Sequence, residues 1–167
     1  ALQEDVPVGT RLVSDYAVGL DNLMNFYDLP MDDFETGLAH DIQKKTGLPF
    51  MPYVVQGSET LREQIGGSDM IKGNTVTCPG FYAPQGRVLR IPIRYPNLLE
   101  DLNYYNKGNF WLTNFEMETS AYYAFGRLLG HEVLSANAII ANRIKTKFSK
   151  DPQKIVDGLI KKVLDRI

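Results

Sequence analysis

Nine consecutive residues, Val133 to Ala141 (VLSANAIIA), carry no charge and are almost wholly small or apolar. A segment without a polar face is expected to be a strand buried on both faces, and such a strand demands helices packed on both sides of a sheet. The rest of the chain offers those helices in alternation with further strands. Thr10 to Val18 (TRLVSDYAV), Pro52 to Gln56 (PYVVQ), Ile71 to Cys78 (IKGNTVTC) and Phe110 to Phe115 are rich in β-branched and aromatic residues and read as strands. Within the first, Asp15 reads either as a ligand or as a turn hydrogen-bonder.

The helices carry their own punctuation. Asp33 can cap a helix from Phe34 to Thr46, with Phe34, Leu38 and Ile42 spaced on one side; Gly47 suits the residue after its end, and Pro49 prevents resumption. Ser58-Glu59-Thr60-Leu61 starts a brief helix ending near Gly66-Gly67. Leu98, Leu102 and Tyr105 mark another, closed by Gly108. From Glu118 to Leu129, Ala121, Phe125 and Leu128 form one apolar stripe, and Gly130 stops it. Asp151-Pro152 caps a final helix with Ile155, Leu159 and Val163 as its stripe. Gly19 to Pro30 reads as a loop with one helical turn. The alternation predicts a single α/β layered domain over residues 1–167.

Composition narrows the function classes. With 18 basic and 20 acidic residues and no block of like charge, nothing favours nucleic acid or a membrane surface. A single cysteine, Cys78, excludes an intramolecular disulfide framework and a multi-cysteine metal site. No apolar run is long enough to span a bilayer, so a soluble cytoplasmic protein is expected. Ala1 to Gly9 reads like the middle of a domain, which suggests a portion of a longer protein.

No Walker loop, HExxH, CxxC, GxSxG or GxGxxG occurs. His40 and His131 lie far apart without a serine or cysteine elbow, which argues against a histidine-based triad; His40 reads as a surface residue. Two stretches hold more chemistry. In Asn114-Phe115-Glu116-Met117-Glu118-Thr119-Ser120, a strand ends where a helix begins. Its acids either face a ligand at the strand's C-terminal end or only complement the helix dipole. In Phe81-Tyr82-Ala83-Pro84-Gln85-Gly86-Arg87, an aromatic face stands beside an amide and a guanidinium. That set suits a planar heterocycle, with Gln85 as donor and acceptor and Arg87 as donor to a carbonyl gaining charge. By composition alone it reads first as a proline-rich surface loop.

These two stretches, in this order, resemble the nucleoside phosphorylase family and its uridine phosphorylase branch in particular. Ala1-Leu2-Gln3 through Val8-Gly9 is similar to the segment after that family's glycine-rich phosphate loop, and Ile139-Ile140-Ala141-Asn142-Arg143 to its base-pocket strand. The resemblance implies a mixed central sheet flanked by helices, with an N-terminal part outside this sequence. It implies that Phe81 stacks on the base while Gln85 and Arg87 bond its edge. Glu116, Met117 and Glu118 would hold the ribose; Ile140 and Ala141 would line the base, and Arg143 would support its carbonyl side through Arg87 or a water. The catalytic residues would be Arg87, Gln85 and Glu118. The implied reaction is phosphorolysis of uridine, with inorganic phosphate as co-substrate and neither metal nor organic cofactor. The purine branch's Asp is absent between Asn137 and Arg143, which argues for a pyrimidine. A homodimer or a hexameric ring of dimers is implied. The family's phosphate-binding glycines, arginines and threonine have no counterpart here, so phosphorolysis by these 167 residues alone is not expected. A water-using nucleosidase and a nucleoside-binding subunit without turnover are the competing readings.

Overall fold

A computed structural model describes residues 1–167. In chain order it contains strand β1 (Arg11–Gly19), a 3-10 turn (Leu23–Phe26), helix α1 (Asp33–Thr46), β2 (Tyr53–Gln56), α2 (Glu59–Ile65) and β3 (Ile71–Thr77). A second 3-10 turn (Ala83–Gln85), α3 (Leu98–Asn103), β4 (Asn106–Lys107), β5 (Phe110–Trp111) and β6 (Asn114–Glu116) follow. The chain continues through α4 (Thr119–Leu129), β7 (Ala136–Ala138), β8 (Ala141–Asn142), β9 (Lys147–Phe148) and α5 (Pro152–Leu164).

The sheet is mixed and flanked by helices. β1 is parallel to β3, and β3 to β6, while β2 and β7 share the other edge of β1 in antiparallel pairing. β1 is therefore the spine: Val13, Ala17 and Val18 along it are buried, and one end meets the main core of Leu38, Ile42, Val54, Val76, Leu102 and Leu112. No helix is long and apolar enough to cross a membrane.

Several expectations change in detail. The run Val133 to Ala141 joins the main sheet only over Ala136–Ala138, all three partly buried, and Ala141 begins the separate strand β8, with Ile140 between them exposed. Its apolar character reflects a wall over α5 on one side and a cavity on the other, not two buried faces. The predicted strand Phe110 to Phe115 divides. Phe110–Trp111 pairs with β4 in a hairpin turned at Gly108, and only Asn114–Glu116 joins the main sheet. Gly108 thus closes a hairpin, not a helix, because α3 stops at Asn103.

Asp32 caps α1 rather than Asp33, accepting from the Glu35 N–H at 2.8 Å while the Glu35 side chain accepts from the Asp32 N–H at 3.1 Å. Gly47 ends the helix in the left-handed conformation expected of it. Phe34 leaves the buried stripe and packs edge-on against Tyr16 and Phe110. The buried side of α4 is Ser120, Tyr123 and Ala124, with Phe125 and Leu128 only partly covered. Asp15 lies within β1 and not in a turn. It sits at an irregularity of β1, where the register against β3 shifts between Ser14 and Ala17, and pairs with Arg62 and, at 2.7 Å, with Lys72. Ser58 and Asp151 cap α2 and α5 as their positions suggest.

Candidate active site

A cavity of about 500 Å³ opens where β3 and β6 end. The residues singled out in sequence meet there: Phe81, Gln85 and Arg87 from the loop after β3, Glu116, Met117 and Glu118 from the β6–α4 junction, and Ile140, Ala141 and Arg143 after β7. Segments far apart in sequence converge because parallel β3 and β6 release their loops at the same edge of the sheet.

One end of the cavity is rich in donors. The 3-10 turn at Ala83–Gln85 buries Gln85, and Gly86 at φ 69° reverses the chain so that Arg87 folds back. Only a residue free of a Cβ takes that conformation without strain. Arg87 Nη1 donates to the Phe81 carbonyl and, at 2.7 Å, to Gln85 Oε1, while its guanidinium lies 3.6 Å from the Phe81 ring centroid. Arg143 Nη2 donates to the Gln85 backbone carbonyl at 3.1 Å. Its other terminal nitrogen, Nη1, is buried without a hydrogen-bond partner. Burial, then the neighbouring Arg143, lowers the pKa of Arg87; burial does the same to Arg143. The Gln85 carbonyl oxygen is therefore occupied by Arg87, which leaves its NH₂ to face a ligand as donor. Phe81 is half exposed, and in this arrangement Arg87 covers one of its faces.

The other end is acidic, and its two carboxylates differ. Glu116 Oε2 accepts from the backbone N–H of Glu118 at 2.7 Å and of Thr119 at 2.6 Å, while Oε1 accepts from the Thr77 hydroxyl. It caps α4, as the dipole reading of the sequence supposed for both acids. Thr77 was missed in sequence; it ties this cap down by also accepting from the Ser120 N–H at 2.9 Å. Glu118 is exposed, and its carboxylate has no partner in the protein. Met117 is 40% exposed beside it. Burial first and Glu116 second push the thiol of nearby Cys78 far up, so it stays neutral.

The walls add residues that sequence reasoning passed over. Phe148, opposite Ala141 in the β8–β9 hairpin, closes one side with Ser149 and Pro152; Asn114 and Asn137 line the floor. Phe148 lies in an unremarkable basic stretch (KTKFSK), so only the hairpin register could have found it. No group of His, Cys, Asp and Glu is placed to hold a metal ion. The site has a donor-rich end, a free carboxylate and apolar walls, which suits a neutral polar ring joined to a polyol.

No family model matches the chain, and no curated protein matches it. Solved structures do. A nucleoside phosphorylase of Trypanosoma brucei, reported to show uridine phosphorylase activity, is 24% identical with a TM-score of 0.88, over 99% of this chain and 60% of that one. A uridine phosphorylase of Phytophthora capsici is 20% identical with a TM-score of 0.63, over 98% of this chain and 60% of that one. The ligand-free uridine phosphorylase of Schistosoma mansoni is 18% identical with a TM-score of 0.51, over 98% and 58%. The chain thus has the nucleoside phosphorylase fold and spans about 60% of the length of the structures it matches.

Proposed function

We propose that this chain carries the base- and sugar-binding part of a uridine phosphorylase, a cytoplasmic enzyme of pyrimidine salvage that converts uridine and inorganic phosphate to uracil and ribose 1-phosphate. The observation that carries the reading is the pairing of a buried, acceptor-less Arg143 Nη1 beside Arg87 with an unpartnered Glu118 across one cavity. A buried donor without an acceptor is costly, and a ligand carbonyl that fills it removes that cost.

Each group then has a task. The Gln85 NH₂ and the two guanidiniums donate to the uracil oxygens, and Phe81 offers a ring face to the base. Glu118 accepts from the ribose hydroxyls and holds the sugar in register for attack. A phosphate oxygen bonds to the anomeric carbon as the bond from that carbon to N1 breaks. The electron pair leaves with uracil and spreads onto its oxygens, where the preorganised donors meet it, and N1 then takes a proton from solvent. Glu118 also faces the positive charge that develops on the sugar. The acceptor-poor base end suits a pyrimidine leaving as an anion, since no acid is present to protonate a purine ring nitrogen.

Phosphate would be held by residues outside these 167 and by a partner subunit in a homodimer or a ring of dimers. The test is a nucleoside panel on the full-length protein with and without phosphate. Release of uracil from uridine only with phosphate is expected. Equal release without phosphate makes the protein a nucleosidase, and binding without release makes it a non-catalytic nucleoside-binding subunit. Arg87→Ala is expected to lower kcat by about 10²–10³-fold, the range for losing one such donor, with a smaller effect on substrate binding. Unchanged turnover would refute the role of Arg87.

A further inference from the structure

Below the cavity runs a line of hydroxyls and amides that the reaction just described does not use. Thr75 Oγ1 donates to Asn114 Oδ1 at 2.9 Å, the Ser14 and Thr75 hydroxyls are 2.5 Å apart, and Asn137 Nδ2 donates to Ser14 Oγ at 2.9 Å. The same Nδ2 donates to Ser135 Oγ at 3.1 Å. Ser14, Thr75 and Asn114 are buried, so this part of the line is shielded from water, while Ser135 and Asn137 at its end are partly exposed.

The direction of this line fixes the Asn137 amide. Thr75 gives its proton to Asn114, so it accepts the proton of Ser14, and the Ser14 oxygen is left to accept from Asn137. Turning the amide over would set its oxygen against that oxygen, so the orientation is locked. Both hydrogens of Nδ2 are then used inside the protein, while Oδ1 receives no donor from it, and Asn137 lines the cavity. Ser135 Oγ also accepts from the Thr119 hydroxyl at 2.9 Å, which joins Asn137 to the residue following Glu118. Gln85, Arg87 and Arg143 form a separate bonded group.

We propose that Asn137 Oδ1 is a specificity determinant at the sugar end of the site, accepting a hydrogen bond from one hydroxyl of the nucleoside sugar. The proposal rests on the uridine phosphorylase reading and adds a residue to it. An acceptor that cannot rotate into a donor favours a hydroxyl at its position and is left unpaired by the corresponding deoxy compound. Being neutral, it adds an acceptor without a third carboxylate to repel incoming phosphate.

The test compares the full-length protein with its Asn137→Ala and Ser14→Ala variants on uridine and on 2′-deoxy-, 3′-deoxy- and 5′-deoxyuridine. Asn137→Ala is expected to lower kcat/KM for uridine by about 10- to 100-fold. For the one analogue lacking the recognised hydroxyl, the loss should shrink to within about twofold. Ser14→Ala frees the amide to turn and should weaken discrimination against that same analogue. An equal loss on all four compounds marks a structural role and overturns the proposal, as does no loss on any. If the wild-type protein cleaves no nucleoside, the functional reading fails separately. Calorimetric titration with the same four compounds then decides the role of Asn137, and an unchanged affinity pattern, or no binding at all, overturns it.

Discussion

The Glu116 carboxylate takes two backbone donors of α4 and the Thr77 hydroxyl, whereas Glu118, two positions on, takes none. The difference predicts opposite phenotypes. Glu116→Ala removes a helix cap and should cost about 1–2 kcal/mol of stability, seen as a lower melting temperature. Glu118→Ala should leave the melting temperature in place and lower kcat/KM for uridine by about tenfold or more, the value of a hydrogen bond to a charged group. A second residue-scale prediction concerns Tyr123, whose phenol donates to the Ser14 carbonyl at 2.7 Å and accepts from the Ser135 N–H at 2.9 Å. Burial pushes its pKa up to about 12. The folded state thus holds the proton more tightly than the unfolded chain, where a phenol ionises near about 10. Stability from this group is complete below that value and is lost as pH rises toward about 12. Denaturant midpoints measured from pH 9 to 12 should fall less steeply in Tyr123→Phe than in the wild type.

At the scale of elements, one ion pair joins three of them. Glu35, 1% exposed on α1, bonds Arg127 of α4 through both oxygens at 2.6 Å and accepts from the Gln56 N–H at the end of β2 at 2.9 Å. Its grip raises the pKa of Arg127. Arg127→Met strands a buried carboxylate and should cost about 3–5 kcal/mol in denaturant unfolding. The double variant Glu35→Leu/Arg127→Met should recover part of that loss. Recovery is incomplete because the Gln56 and Asp32 N–H groups then lack their acceptor.

For the whole molecule, the order of burial sets the order of opening. β1 and β3 lie in the middle of the sheet with their neighbours bonded on both sides, while β8 and β9 form a two-stranded hairpin outside that sheet, its β9 strand exposed, and residues 88–91 are exposed. Amide exchange should therefore be slowest over Leu12–Val18 and Thr75–Thr77 and fastest over the β8–β9 hairpin and residues 88–91. Equal protection in the hairpin and β1 would contradict that order.

Local chemistry made much of this legible from the chain alone. Asp33, one residue past the cap that forms, Ser58 and Asp151 announce helix starts, Gly47 and Gly130 announce ends, and β-branched runs announce β1, β2 and β3, because each depends on neighbours within a few positions. The two motif stretches and the base-pocket strand named residues that the fold gathers around one cavity. What the chain could not reveal depends on partners far along it. Asp15 finds Arg62 and Lys72, Glu35 finds Arg127, and the run from Val133 to Ala141 shortens because one side of it faces a cavity. The sharpest case is the pair of glutamates. Their spacing made either of them a cap or a ligand, and both options satisfy the same local rules. Only the folded position of Thr77, brought beside Glu116 by the β3–β6 register, commits one carboxylate to the helix and leaves the other without a partner in the protein.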